Sequence, residues 1–160
     1  MPKTKCFDEN YMDYEEWFDK NRYVYLSELK AVKHFVPQIG TGLEVGVGSG
    51  KFAVPLGIKI GLEPSEKMKQ LAESKGVKVY GGVAEALPFE DSSFDFVLMV
   101  TTICFVDDVD KSLREVKRVL KKNGKFIIGL VDSESPLGKI YKEKKDGSVF
   151  YKDAIFYSAK

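Results

Sequence analysis

Leu43-Glu44-Val45-Gly46-Val47-Gly48-Ser49-Gly50 sets an acid beside a run of alternating glycines, and its reading decides the fold. Gly40-Thr41-Gly42 breaks the chain just before it, and Leu43 to Val47 reads as a short buried strand. The glycines then fall on the turn where that strand hands over to a helix. Without a Cβ, glycine accepts positive φ and lets a bound molecule approach the main chain, while the helix that follows offers unpaired N–H groups. A negatively charged ligand group suits such a turn. The dinucleotide fingerprint G-x-G-x-x-G needs its third glycine where Lys51 stands, so the G-x-G-x-G spacing of Gly46, Gly48 and Gly50 counts against that ligand class.

Outward from the turn, Ile58 to Glu63 reads as a second strand. Glu63 closes it 19 residues after Glu44, near the ~20-residue offset at which a nucleotide-binding α/β unit places an acid on ribose hydroxyls. Pro64-Ser65 opens a helix with Met68, Leu71 and Ala72 on one face, ended by Gly76, and Val77 to Tyr80 forms a third strand. Phe94 to Val100 is nearly all apolar, as a strand buried on both faces should be, and Thr101 to Val106 follows as its loop. Asp107 or Asp108 caps a helix carrying Val109, Leu113, Val116 and Leu120, with Asn123-Gly124 as its stop and Lys125 to Asp132 as strand five. Upstream, residues 1–37 hold aromatics spaced by threes and fours, which predicts two amphipathic helices. His34, the sole histidine, reads as a partner for a helix C-terminus rather than a base.

Composition bounds the function classes. A chain of 160 residues is one domain by length and can bury about 70% of its unfolded surface. With 25 basic against 24 acidic residues and a net charge of +1, no nucleic-acid or lipid surface is expected as partner. The N-terminus lacks the apolar core of a signal peptide, and the longest apolar run is only Phe96 to Val100, so no membrane span is expected. Cys6 and Cys104 have neither metal-ligand nor redox spacing, which favours free thiols, no metal and a reduced cytoplasmic setting.

The glycine motif with Glu44 resembles the first motif of class I S-adenosylmethionine-dependent methyltransferases. Gly82-Val83-Ala84-Glu85-Ala86-Leu87-Pro88-Phe89, followed by Asp91-Ser92-Ser93-Phe94-Asp95-Phe96-Val97, closely resembles that family's third and fourth motifs, and the likeness runs from Gly42 to Asp132. It implies a doubly wound, mainly parallel Rossmann-like sheet of strand order three-two-one-four-five, with S-adenosylmethionine at the strand ends between strands one and four and S-adenosylhomocysteine as product. Gly46, Val47, Gly48 and Gly50 would shape the methionine pocket, and Glu44 would orient the turn or meet the amino group. Glu63, followed by Pro64, would hold the ribose, Met68 would pack on the adenine, and Ala84 and Glu85 would flank it. Val100 and Thr101 would complete the site from strand four.

Two departures accompany the resemblance. Val83 stands where the family usually has an acid facing the adenine amino group, and no histidine pair lies near Cys104 and Phe105, so no catalytic residue is assigned. A sulfonium carries a reactive methyl, and positioning of a small-molecule nucleophile within ~3 to 3.5 Å can supply much of the catalysis. The N-terminal aromatics, Tyr11 and Tyr23 foremost, would line the acceptor pocket. The competing readings are a non-catalytic S-adenosylmethionine or nucleotide-binding module and a nicotinamide-dependent oxidoreductase, the latter disfavoured by Lys51 and by chain length. The expected organisation is a helical cap over 1–40, a cofactor-binding core over 41–132, and a loop or lid over 133–160 in place of the family's C-terminal strands. That leaves the edge of strand five to the tail, to a second copy in a homodimer, or to residues beyond Lys160.

Overall fold

The computed structural model describes residues 3–160. Five parallel strands form one sheet in the order β3-β2-β1-β4-β5, with β1 Gly42–Val45, β2 Ile60–Leu62, β3 Lys78–Tyr80, β4 Phe94–Val100 and β5 Leu120–Gly129. This is the expected order. Side chains alternate between faces along a strand, and the sequence supplies apolar residues to both. Leu43, Val45, Val97 and Met99 pack on one face beneath Val116 and Val119 of α6 (Val109–Val119). Phe96, Leu98 and Val47 pack on the other with Ala53 of α4 (Ala53–Leu56) and Ala72 of α5 (Glu66–Ser74). Each fully buried aliphatic side chain contributes about 1.5–3 kcal/mol, so this two-sided core fixes the strand ends that carry the site.

Helix starts follow the sequence. The Ser65 hydroxyl accepts from Met68 N at 3.3 Å to open α5, and the Asp108 carboxylate accepts from Lys111 N at 2.9 Å to open α6. From α6, Glu115 accepts from Leu87 N and Arg118 donates to the Leu87 and Phe89 carbonyls, which pins the segment between β3 and β4 onto the sheet.

Three expectations are corrected. The N-terminal segment forms three helices rather than two: α1 (Lys5–Glu9), α2 (Tyr11–Lys20) and α3 (Arg22–Phe35). Asn10 and Asn21 interrupt them, each turning its side-chain amide back onto a carbonyl of the preceding helix, Cys6 O and Trp17 O, at 2.9 Å. Residues 133–147 are not a loop, for α7 (Pro136–Lys144) forms there and a 3-10 turn, Lys145–Gly147, follows it. The Ser135 hydroxyl accepts from Gly138 N to start α7, with Pro136 in its first turn. Gly138 lies so close to the Asp132 carbonyl that a Cβ would collide with it. Finally, α6 ends at Val119 rather than at Asn123-Gly124, and the chain enters β5 directly, with a register shift between Phe94 and Phe96 and with Asn123 at φ 65°.

Among the described residues β5 pairs only with β4, so it is one edge of the sheet, with β3 at the other. The tail touches the strand ends rather than running along that edge: Ser133 N donates to Tyr157 O and Ile155 N to Cys104 O. No helix of the described residues is long and apolar enough to cross a membrane.

Candidate functional site

The turn after β1 is held open by its neighbours. Gly46 N and Val47 N donate to Leu62 O at 2.8 and 3.0 Å, tying the turn to the end of β2. Gly46 takes φ 70° and lies against Thr102, whose side chain a Cβ there would strike. Gly48 takes φ 53°, and a Cβ on it would lie 3.0 Å from the Tyr14 hydroxyl. L-residues avoid this left-handed region, so only glycine fills both positions without strain.

Two buried acids meet the turn. Glu63 is 8% exposed; its Oε2 accepts from Gly48 N at 2.8 Å and its Oε1 from Ser65 N at 2.9 Å. Burial pushes its carboxyl up to about 7, against the downward pull of those two N–H groups, with Asp8 adding a like charge. Glu44 is 2% exposed and its Oε2 has no hydrogen-bond partner among the described residues. Burial holds its carboxyl well above the ordinary value, the Ala53 N–H opposes that, and Glu63 adds to it.

At the carboxyl ends of the central strands lies a cavity of about 460 Å3, within the range of small-molecule sites. It gathers Glu44, Gly46, Val47 and Gly48 from the glycine turn, Glu63, Pro64 and Met68 from the end of β2 and the start of α5, and Ala84 with Glu85 from the segment after β3. Val100 and Thr101 reach it from β4, and Val83 also lines it. Gly50 does not, for at φ 83° it faces Val54 and Ala72 behind the turn. The Glu85 carboxylate is engaged, accepting from Asp107 N at 2.6 Å and Asp108 N at 3.1 Å. Thr101, a β-branched residue, sits at φ 51° with its N–H donating to Gly129 O, and backbone strain of this kind clusters at functional sites.

The N-terminal helices roof this cavity through contacts that sequence reasoning passed over. Asp8 of α1 accepts from Ser65 Oγ at 2.7 Å and from Lys67 N at 3.2 Å, at the start of α5. Glu15 of α2 meets Lys51 and Lys75, both at 3.1 Å, and Lys75 also donates to Ser49 O. The Tyr25 hydroxyl donates to Lys51 O. Phe7, Tyr14, Trp17 and Phe18 line the cavity, whereas Tyr11 does not and Tyr23 stands 86% exposed. Tyr14, three residues on from Tyr11, shares the same periodicity, and the tethers set which turn faces inward. Burial, with Glu63 nearby, drives the Tyr14 phenol upward, so it stays protonated. His34 is exposed in the last turn of α3, outside the cavity.

Known proteins place this geometry in a family. Residues 43–128 match the family described as a methyltransferase domain. Over 154 residues the chain is 50% identical to an uncharacterized protein of Methanocaldococcus jannaschii, covering 96% of this chain and 75% of that one. An uncharacterized protein of Mycobacterium tuberculosis is 34% identical over 163 residues, of which 57% of its length is spanned. A crystal structure from Thermotoga maritima, described as a SAM-dependent methyltransferase, possible histamine N-methyltransferase, superposes with a TM-score of 0.94 at 55% identity, over 97% of this chain and 74% of that one. By its matched core, its strand order and its relatives, this chain belongs to the S-adenosylmethionine-dependent methyltransferase domain family, and its cofactor is S-adenosylmethionine.

Proposed function

We propose that this chain moves the methyl group of S-adenosylmethionine to a small-molecule nucleophile held under the N-terminal helices. The observation that carries the reading is that a single cavity joins the glycine turn and Glu63 to an aromatic wall, at a volume that suits a cofactor and a small acceptor rather than a polymer.

The residues present fit the cofactor. The unpartnered Glu44 Oε2 offers an acceptor to an ammonium group, and the open glycine turn admits a chain against the main chain. Glu63 would take the ribose hydroxyls on its carboxylate, charge-assisted bonds of roughly 1.5–3 kcal/mol each. Met68 and Ala84 would sandwich the adenine, with Glu85 fixing the loop that flanks it. Gly50 supports the turn from behind. When bound, the cofactor supplies an activated methyl on a positively charged sulfur. Lined by Phe7, Tyr14, Phe18 and Phe105, the remaining space excludes water and orients the acceptor for in-line attack. Among the described residues no histidine borders the cavity, and the proton released by the acceptor goes to solvent or to a cavity carboxylate.

The test is direct. The wild-type protein is titrated with S-adenosylmethionine and S-adenosylhomocysteine by calorimetry, then incubated with S-adenosylmethionine and a panel of amine, phenol, thiol and carbon acceptors, and S-adenosylhomocysteine is measured. Turnover on at least one small acceptor supports the proposal. Retention of the cofactor with no product on any acceptor class sinks it in favour of a binding module.

A further inference from the structure

The outer end of the cavity has a chemistry that methyl transfer does not require. Asn21, Val24 and Glu28 all line it, Asn21 from the N-cap of α3 and the other two four residues apart on the helix itself. Leu137 and Tyr141, four residues apart on α7, line the same mouth from the other side. Tyr151 joins them, its ring edge-on to Tyr141 at 5.1 Å and stacked on Phe105 at 5.8 Å. Phe105 meets Phe7 at 5.3 Å and Phe7 meets Tyr14 at 6.1 Å, so the aromatic wall runs unbroken from above Gly48 to the mouth.

Glu28 is the odd member of that mouth. Still open to solvent, it has no hydrogen bond and no ion pair among the described residues. Its partial burial pushes the carboxyl above its ordinary value, and no cation is near enough to offset this. Both neighbouring phenols feel its charge. The other cavity acids are occupied or belong to the cofactor end: Glu63 and Glu85 accept backbone N–H groups, Asp107 is itself engaged, and Glu44 lies under the glycine turn. An unpaired carboxylate beside aromatic rings attracts one ligand chemistry, since ring faces and a negative charge both favour a cation.

We propose that this mouth recognises the methyl acceptor by a positively charged group, so that the acceptor is a small organic amine whose ammonium rests against Glu28 and alongside the Tyr141–Tyr151 pair, with the methylated atom further in, toward Thr101. The inference rests on the small-molecule methyl-transfer reading and names its substrate class. Glu28 is a specificity-determining residue and takes no part in the transfer itself.

The test compares 2-phenylethylamine, 2-phenylethanol and phenylacetate as probes of one shape and three charges. Each is titrated into the wild-type protein and into Glu28→Gln, with and without saturating S-adenosylhomocysteine, and the melting temperature and S-adenosylhomocysteine affinity of the variant are measured alongside. The expected result is that the amine binds at least tenfold tighter than the alcohol, that the acid binds weakest, and that Glu28→Gln erases the amine's advantage while S-adenosylhomocysteine affinity stays unchanged. Equal binding of amine and alcohol, or an amine preference that survives in Glu28→Gln, overturns the inference whatever the cofactor does. An amine preference lost in Glu28→Gln, in a wild type that fails to bind S-adenosylhomocysteine, would uphold the cation site and overturn the methyl-acceptor reading instead.

Discussion

Glu63 is where burial and the proposed ribose-binding role pull in opposite directions. Its carboxyl titrates near 7 in the folded chain against an ordinary 4.5, so the folded state binds that proton more tightly than the unfolded state does. The stability this confers is fully present below 4.5 and is lost as pH rises through about 7, amounting to about 3 kcal/mol at ~1.4 kcal/mol per unit. Ribose hydroxyls, in contrast, call for the ionised form. Cofactor affinity is therefore expected to fall as pH drops below about 7, approaching tenfold per unit, while the melting temperature of the free protein rises between pH 8 and pH 5.5. Calorimetry and thermal melts across that range check both, and Glu63→Gln should flatten both profiles; unchanged profiles in the variant would assign the effect elsewhere.

The glycines of the turn divide by what lies behind them. Gly46→Ala combines left-handed strain of about 1–2 kcal/mol with a collision against Thr102, whose hydroxyl also donates to Val100 O, and overpacking of this kind adds about 1–3 kcal/mol. Gly50→Ala meets Val54 at 3.2 Å, a side-chain methyl that can give way, and carries mainly the strain. Denaturant unfolding should find Gly46→Ala the costlier by about 1–3 kcal/mol. The sequence marks both glycines alike; their difference lies in Thr102, 56 residues from Gly46, which no local pattern reveals.

Among the elements, α1 depends most on its tethers. None of its five residues is buried, and a helix so short is marginal on its own. Asp8 holds it by accepting from Ser65 Oγ and Lys67 N, which lends α5 a cap from outside its own chain segment. Asp8→Ala is expected to cost about 1 kcal/mol, the range of a lost helix cap, and to free the amides of α1 for exchange while those of β1 and β4 stay protected. Exchange that remains slow in α1 would show that Phe7, packed against Phe105 and Phe150, is the stronger anchor. The strands were legible because buried runs, glycine breaks and capping residues act locally. Among the helices, α7 was not, since Gly138 and its lysines read as loop; Gly138 is instead required by the Asp132 carbonyl behind it, a contact of the folded state alone. The roof was half legible: the spacing of aromatics declared helices, while the choice of Tyr14 over Tyr11 and Tyr23 was made by Glu15 meeting Lys51 and Lys75 from across the fold.

At the scale of the molecule, β5 is the less buried edge of a sheet covered on both faces. Its residues are exposed or only half-buried throughout, and its free side offers unpaired main-chain groups. In the segment that follows it, Leu137 is 53%, Ile140 46% and Ile155 50% exposed. A net charge of +1 supplies little repulsion to keep copies apart. An open edge and exposed apolar side chains each favour pairing, and for this chain by itself a second copy is the partner always at hand. Sedimentation is thus expected to show association that grows with concentration. Ile140→Lys combined with Ile155→Lys should shift the protein toward monomer, because charge placed on an exposed apolar patch opposes pairing at little cost to folding. Cofactor affinity should not follow, since neither residue borders the cavity. A wild type that stays monomeric at all concentrations would mean that the tail, held by Ser133 N to Tyr157 O, by Ile155 N to Cys104 O and by the rings of Phe150 and Tyr151, shields the edge.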